Sequence, residues 1–454
     1  MKRIIAVILS LLLALSFAAC GSGGDQSAGS EQTQEAETAE PKAVGELPEF
    51  SKSATIEETV LLDQDGLRIT ATGLSYSSYA ADIELLIENE SAEDYEIISE
   101  SLGYSCNAIN DCMVTDGYML CEVNAGMKAK ETISFSYDEM LLSGITEIGS
   151  IELGFDVSGS GGTEYKTGPL ELTTSAGEST SNYKEIITND ALQKSFGIKL
   201  EAFSDETLYD EQGIRAASVG LIENSEGENN VLLELVNETE NEVYAVIKEV
   251  GINGLKVYSG IWSSDLINSG KRCVVDLDLS RIVSDAALES CGIDRIGSVQ
   301  LKMELTDEDG VEIAPTADLN IPLIDEKASF EKPGSEIYNA NDIHIVSLGA
   351  ADGEGMDEDS VFIFALVENT GDGTRKIDED YGSLSVNGFM GDCYFDGIRL
   401  EPGECGLIKV ELSSYQLEDL DISKADEVAS ASITLEITDG NYDKLDTPTV
   451  QLIG

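Results

Sequence analysis

Histidine is almost missing from this chain: of 454 residues, only His344 is one. It lies in Asp342-Ile343-His344-Ile345-Val346, an alternating pattern that reads as a strand face. One imidazole leaves almost no material for a Ser-His-Asp triad or a histidine-rich metal site. His344 can be drawn as a pair with Cys393 or Cys405, but no third group or family signature accompanies it. A lone imidazole on a strand is the expectation. The zinc-protease helix motif, the nucleophile elbow and the Walker loop are also missing. Basic side chains are scarce, 27 Lys and Arg against 87 Asp and Glu, for a formal net charge of −60. Such a chain has no footprint for phosphate, which excludes nucleic acid as a partner. Repulsion also keeps it off anionic lipid and wall surfaces. The acids are dispersed, as solubility requires, rather than gathered for cation binding.

No Cys-x-x-Cys occurs, so a thioredoxin-like redox site is unsupported. Besides Cys20 there are seven cysteines: Cys106, Cys112, Cys121, Cys273, Cys291, Cys393 and Cys405. An odd number leaves at least one thiol free or paired elsewhere. Cys393 with Cys405, and Cys106 with Cys121, are local bridges that spacing allows but cannot establish.

What is present begins at the N-terminus. Lys2 and Arg3 precede an apolar run from Ile4 to Ala19 that carries Ser10 and Ser16. A transmembrane helix wants ~20 apolar residues, so residues 1–19 read as a secretory signal. The run ends Phe17-Ala18-Ala19-Cys20-Gly21, which resembles the lipobox of bacterial lipoproteins. Phe17 stands where that family usually has Leu. The resemblance implies diacylglycerol on Cys20, an extracytoplasmic location and attachment to the membrane through lipid; the alternative is an ordinary signal cut near Ala19. Residues 21–54 are rich in Gly, Ser, Glu and Gln and lack aromatics until Phe50. They are expected to form a flexible tether with a root-mean-square reach of ~32 Å.

Beyond the tether one plan recurs three times. A strand ends in Asn at Asp82–Asn89, Val231–Asn237 and Val361–Asn369. A second Asn follows: Asn107, Asn253-Gly254 and Asn387-Gly388. Next come turns at Asn124-Ala125-Gly126, Asn268-Ser269-Gly270 and Pro402-Gly403. Strands carrying Ile133, Val275 and Ile408 follow, then a short helical stretch, then strands with Ile151, Val299 and Ile433. Alternation puts one face of each strand on a core and the other in water. The expected fold is all-β: three tandem immunoglobulin-like antiparallel β-sandwich domains after a lipidated, disordered tether. The domains are placed at 55–175, 190–325 and 335–454, with an insertion near 205–228 in the second. Short linkers, Ser175–Ser181 and Glu326–Ser335, suggest a row of beads.

Lipobox and repeats together resemble the surface lipoproteins of Gram-positive anaerobes that carry tandem immunoglobulin-like domains. The resemblance implies fold and location but no activity, because such sandwiches host many functions.

Candidate sites are few. Asp352, Glu354, Asp357 and Asp359 form an acidic stretch with oxygens for calcium, without the twelve-residue EF-hand spacing. The turns at Asp63–Gly66 and Asp307–Gly310 carry similar residues but read as tight turns. Tyr258 and Trp262 are the ligand-binding candidates, as an aromatic platform for sugars, against core packing, which explains the same residues and is the favoured reading. Tyr118, Tyr394 and Phe395, at matching places, are expected in the core. Asn89 and Asn237 match a glycosylation triplet but are expected to end a strand and start a turn. The function expected is a non-enzymatic binding or structural module for a surface protein, a glycan or an envelope component. An envelope or polysaccharide hydrolase using carboxylates, and a solute-binding lipoprotein of a transporter, are the alternatives.

Overall fold

The computed structural model describes residues 49–99, 107–177, 179, 183–225, 227–323, 328–353 and 359–454. The expected signal, Cys20 and most of the expected tether lie outside the described residues. Those described belong to one compact unit, Val44–Gly454. The fold is an all-β sandwich.

One antiparallel sheet plan recurs along it. The first instance orders Thr59–Gln64, Leu67–Tyr76, Ala80–Asn89 and Lys128–Ser136. The second orders Lys199–Ser204, Ile214–Glu223, Asn229–Asn237 and Arg272–Asp278. The third orders Ser335–Ala340, Ile343–Asp352, Val361–Asn369 and Cys405–Leu412. A second sheet faces each, built in the middle segment from Val243–Ile252, Leu255–Ile267, Ser298–Thr306 and Glu312–Pro322.

Alternation decides which face is dry. Ile83, Leu85 and Ile87 are buried, while Glu84 between them is exposed. Val361–Val367 has no alternation, and every residue of it is buried. Val361, Ile363, Ala365 and Val367 enter the core of the third segment. Phe362, Phe364 and Leu366 enter the core of the second. A strand with two dry faces needs a continuous apolar run.

The Asn that ends each central strand is fully enclosed, at 1% exposure for Asn89 and 0% for Asn237 and Asn369. The Asn237 amide donates to the carbonyls of Asn241 (2.7 Å) and Ile267 (2.9 Å), and its Oδ1 accepts from the Thr239 N–H (2.9 Å). Asn89 makes the same bonds to Glu93, Val123 and Ser91, and Asn369 to Gly373, Leu400 and Gly371. Each amide thus joins both sheets to the turn between them.

A second Asn closes a hairpin in every segment with φ near +55°: Asn110 (57°), Asn253 (53°) and Asn387 (53°). Oδ1 of Asn253 accepts from Gly297 and Ser298, and its amide donates to the Arg295 carbonyl. Asn110 and Asn387 repeat this pattern. In the first segment this residue is Asn110, not Asn107. Asn107 instead reaches Ser99 and Gly117. In the other segments a glycine follows at φ +86° (Gly254) and +85° (Gly388); in the first, Asp111 stands there.

Three further expectations change. The insertion near 205–228 is not one: Ile214–Glu223 is a central strand, and Gln212-Gly213 is its hairpin turn. The tether ends sooner than residue 54. Phe50 and Ala54 are buried, Phe50 packs on Tyr137 with ring centroids 4.8 Å apart, and Ser51 N–H donates to Thr146 O (2.8 Å). The segments are also not separate beads, because two sheets continue from one segment into the next.

At the first junction Cys112, two residues past Asn110, bridges in parallel to Arg272, and Arg272 N–H donates to Asp111 O (2.8 Å). At the second, Lys256 bridges in parallel to Gly406. Both have one register, since Leu255 matches Cys112 and Cys405 matches Arg272. A buried cation sits at each. Arg272 ion-pairs with Asp111 (3.6 Å) and Glu234 (3.6 Å) and donates to Ser143 O. Lys256 binds Glu249 (2.7 Å) and Glu404 (2.6 Å).

Helices extend the contacts. α1 (Tyr137–Leu142) meets α3 (Asp190–Phe196) through Leu141 and Leu192, and α2 (Tyr183–Ile187) lays Tyr183 and Ile187 on Ile222 and Leu232. α4 (Asp285–Ser290) packs Ala287 and Leu288 in one cluster with Phe362 and Phe364. α5 (Ser414–Leu420) turns Leu417 and Leu420 into its own segment.

Replacing Asn237 by Ala strands buried carbonyls and N–H groups, and should cost about 3 kcal/mol in urea unfolding. Asn237→Asp keeps the acceptor but loses both amide donors, and should fall with it. Unchanged stability in either variant would show that these bonds do not hold the sheets together.

Candidate functional site

The calcium stretch is only partly described. Glu354 and Asp357 lie outside the described residues. Asp352 ends a strand, and its Oδ1 accepts from Ala425 N–H (2.6 Å). Asp359 is an exposed turn residue. Among the described residues, no group of three or more His, Cys, Asp or Glu could hold a metal ion. The other two acidic stretches are turns: Asp65 and Gly66 have φ 52° and 80°, and Asp307 Oδ1 accepts from Asp309 and Val311 N–H.

Tyr258 is half-buried at the second junction, its hydroxyl donating to Ile261 O (3.1 Å). Burial first and Asp396 second push that hydroxyl's pKa up. It lines a small cavity with Ile282, Val283 and Asp396. The Trp262 backbone lies in the strand Leu255–Ile267, and its side chain is outside the described residues. Tyr118 and Tyr394 are exposed rather than in the core, while Phe395 is partly buried against it.

His344 stands between two carboxylates, Glu336 (3.0 Å) and Glu368 (3.7 Å). It pairs across the ladder with Glu368, which pairs in turn with Cys405. Two strand spacings, about 10 Å, therefore separate His344 from Cys405. Cys393 and Cys405 are both free thiols, so the bridge between them is not made. Cys393 donates to Glu379 (3.3 Å), and Cys405 lies in the core at the second junction. Cys121 is a buried free thiol, and Cys106 lies outside the described residues. Burial pushes Cys112 and Cys291 to about 11 and Cys405 to about 12, which holds each as a neutral thiol near neutral pH.

The carboxylate with the most altered chemistry is Glu139, on α1. Burial first, and then Asp116, push it up to about 7. Its Oε1 accepts from Thr115 Oγ1 (2.8 Å) and from the N–H groups of Thr115 and Asp116. Asp116 accepts from Ser136 N–H (2.7 Å). Glu139 and Asp116 are hydrogen-bonded, closer than the ~5 Å that a retaining glycosidase needs between its carboxyl groups. The pair closes a loop over the start of α1. A cleft of about 680 Å³ opens between α4 and the strand Lys199–Ser204. It is lined by the carboxylates Glu201, Glu223, Asp285, Glu289 and Asp294, together with Arg295.

The surface that stands out belongs to the third segment. Phe389 and Met390 are 63% and 74% exposed on the hairpin after Asn387. Tyr415 on α5 is 74% exposed. The two elements touch, since Leu420 of α5 lies against Gly391 beside the hairpin. Composition could not show this patch, because the equivalent hairpins of the first two segments are buried.

No family model matches the chain, and neither does any curated protein. Among solved structures, a protein of unknown function from Porphyromonas gingivalis W83 aligns at 11% identity, covering 56% of this chain and 97% of that one, with a TM-score of 0.15. The exo-chitosanase CsxA of Amycolatopsis orientalis aligns at 8% identity over 87% of this chain and 79% of that one, with a TM-score of 0.16. A red sea bream transglutaminase aligns at 12% identity over 64% of this chain and 40% of that one, with a TM-score of 0.13. At such scores these likenesses carry no argument about activity.

The raised Glu139 has a defined sign. Its neutral form suits the fold, so its contribution is complete below about 4.5 and is lost as pH rises through about 7. The melting temperature of Glu139→Gln relative to the parent should therefore climb between about pH 5 and about pH 8; a flat difference would refute the shift. At the second junction, Lys256→Ala leaves Glu249 and the partly solvated Glu404 facing each other. It should cost about 1–3 kcal/mol and split one calorimetric transition into two. A single unmoved transition would mean that the cation does not couple the segments.

Proposed function

We propose that the chain is an extracytoplasmic lipoprotein, held to the membrane through lipid on Cys20, that serves as a non-enzymatic binding or structural module. Its partner is a surface protein, a glycan or a component of the envelope. The observation that carries the reading is the combination at the far end of the fold. Sheets run through both junctions and fix the order of the segments, and the last segment presents Phe389, Met390 and Tyr415 to solvent. Apolar side chains held out on a framed hairpin suit recognition, since large exposed apolar groups mark contact surfaces. The lipobox residues supply the anchor, and the acidity keeps the folded unit clear of an anionic surface. A solute-binding lipoprotein of a transporter needs two α/β lobes around a cleft, which an all-β fold does not offer.

Two measurements test this reading. Palmitate should label the full chain and be lost in Cys20→Ser, together with membrane fractionation. Glycan and surface-protein arrays should show binding that Phe389→Asp removes, with no turnover of peptidoglycan or polysaccharide. Turnover abolished by one carboxylate substitution would instead make the chain an envelope hydrolase.

A further inference from the structure

Each segment has a hairpin closed by an Asn at φ near +55° and an edge strand that follows a Gly turn. At both junctions the hairpin of one segment sits on the edge strand of the next, in one register. This use consumes the hairpins of the first two segments and the edge strands of the last two. Among the described residues, what remains of this set is one hairpin, Ser385–Met390, and one edge strand, Lys128–Ser136, at opposite ends of the succession.

The burial values follow that accounting. Cys112 and Met113 are 0% and 9% exposed, and Leu255 and Lys256 are 0% and 8%. Phe389 and Met390, their counterparts, are 63% and 74% exposed. On the unused edge Met127 is 59% exposed, whereas its counterpart Lys271 is half-buried and pairs with Glu152 of the preceding segment. Asn89 N–H donates to Met127 O, so the N–H of the next residue, Lys128, points away from the sheet. At the matching place, Arg272 N–H donates to Asp111 O across the first junction.

We propose that the hairpin Ser385–Met390 of one molecule docks on the edge strand Lys128–Ser136 of a second copy, repeating the junction between molecules. Phe389 then bridges in parallel to Lys128, with the Lys128 N–H donating to Gly388 O. Met127 covers the exposed Phe389 and Met390. α5, placed like α1 and α4, brings exposed Glu418 and Asp419 toward exposed Lys128 and Lys130. The contact joins unlike surfaces, so it extends head to tail rather than closing a twofold dimer. This deepens the reading of the chain as a binding module by naming the partner. Within the chain the junctions form at an effective concentration of order mM. Separate molecules meet without that help and against a net charge of −60 each, so association is weak, stronger at high salt and favoured where a membrane crowds the chains.

The test is sedimentation velocity of the unit Val44–Gly454 from about 10 µM to about 1 mM, at low and at ~0.5 M salt. Weight-average mass should at least about double across that range, and more so at high salt. Phe389→Asp removes one end. Lys128→Pro removes the other, because proline at an outward N–H leaves the ladder intact; Met127→Asp replaces it if circular dichroism shows Lys128→Pro unfolded. Each variant alone should stay monomeric, and an equal mixture should form dimers and stop there, since each keeps one good end. Wild type that remains monomeric throughout overturns the docking, as does association that survives both substitutions or a mixture that never pairs. A monomeric wild type that still captures a glycan or surface protein would leave the binding-module reading standing. Assembly accompanied by turnover on an envelope polymer would do the opposite.

Discussion

Three buried amides hold the two sheets of each segment in register. Asn89, Asn237 and Asn369 lie where the central strand leaves its sheet, and each satisfies backbone groups on both sheets and in the turn between. An enclosed primary amide is costly unless its donors and acceptor are all used. That demand sets where the strand stops, how the turn folds and where the facing sheet begins. The second Asn of each segment does the same for the hairpin. Because that hairpin then docks on the next segment, the amides also set how the segments join.

The pattern legible in the chain was the one these amides and the alternating strands impose. Ile83, Leu85 and Ile87 alternate with polar residues and face one core, and the Asn at each strand end is where the turn begins. In the first segment the second Asn of the pattern is Asn110 rather than Asn107, and the sequence hides it because Asp111 replaces the glycine that marks the others. Gln212-Gly213 escaped as a turn because glutamine is an unusual residue at positive φ, so a central strand looked like an insertion. Phe50 stands among polar residues that read as tether, yet one aromatic with Tyr137 beneath it suffices to dock a chain end.

The junctions had almost no signature. A sheet crosses each one through a single paired residue, and one pair leaves no period in the chain. The nearest clue was the unbroken apolar run Val361–Val367, whose second dry face had to meet something. The candidate surface was hidden for a related reason. Phe389 and Met390 look like ordinary apolar hairpin residues, and only the burial of their counterparts shows that they lack cover. His344 lies on a strand face between Glu336 and Glu368, and Cys112, Cys121, Cys273, Cys291 and Cys405 are packed in the cores.

Both buried junction cations, Arg272 and Lys256, come from the middle segment. One reaches back to Asp111 and the other forward to Glu404. The segments are therefore not interchangeable modules. A chain shortened by deleting the middle one would bring Asp111 and Glu152 toward Cys405 and Glu404, a meeting of carboxylates without Arg272 or Lys256 between them. Copying the first segment in tandem would place Met127 and Lys128 where Lys271 and Arg272 now stand, and the longer, forked guanidinium would be lost. Gene duplication can make such an array, but once these charges are fixed, its length and order become heritable as one block.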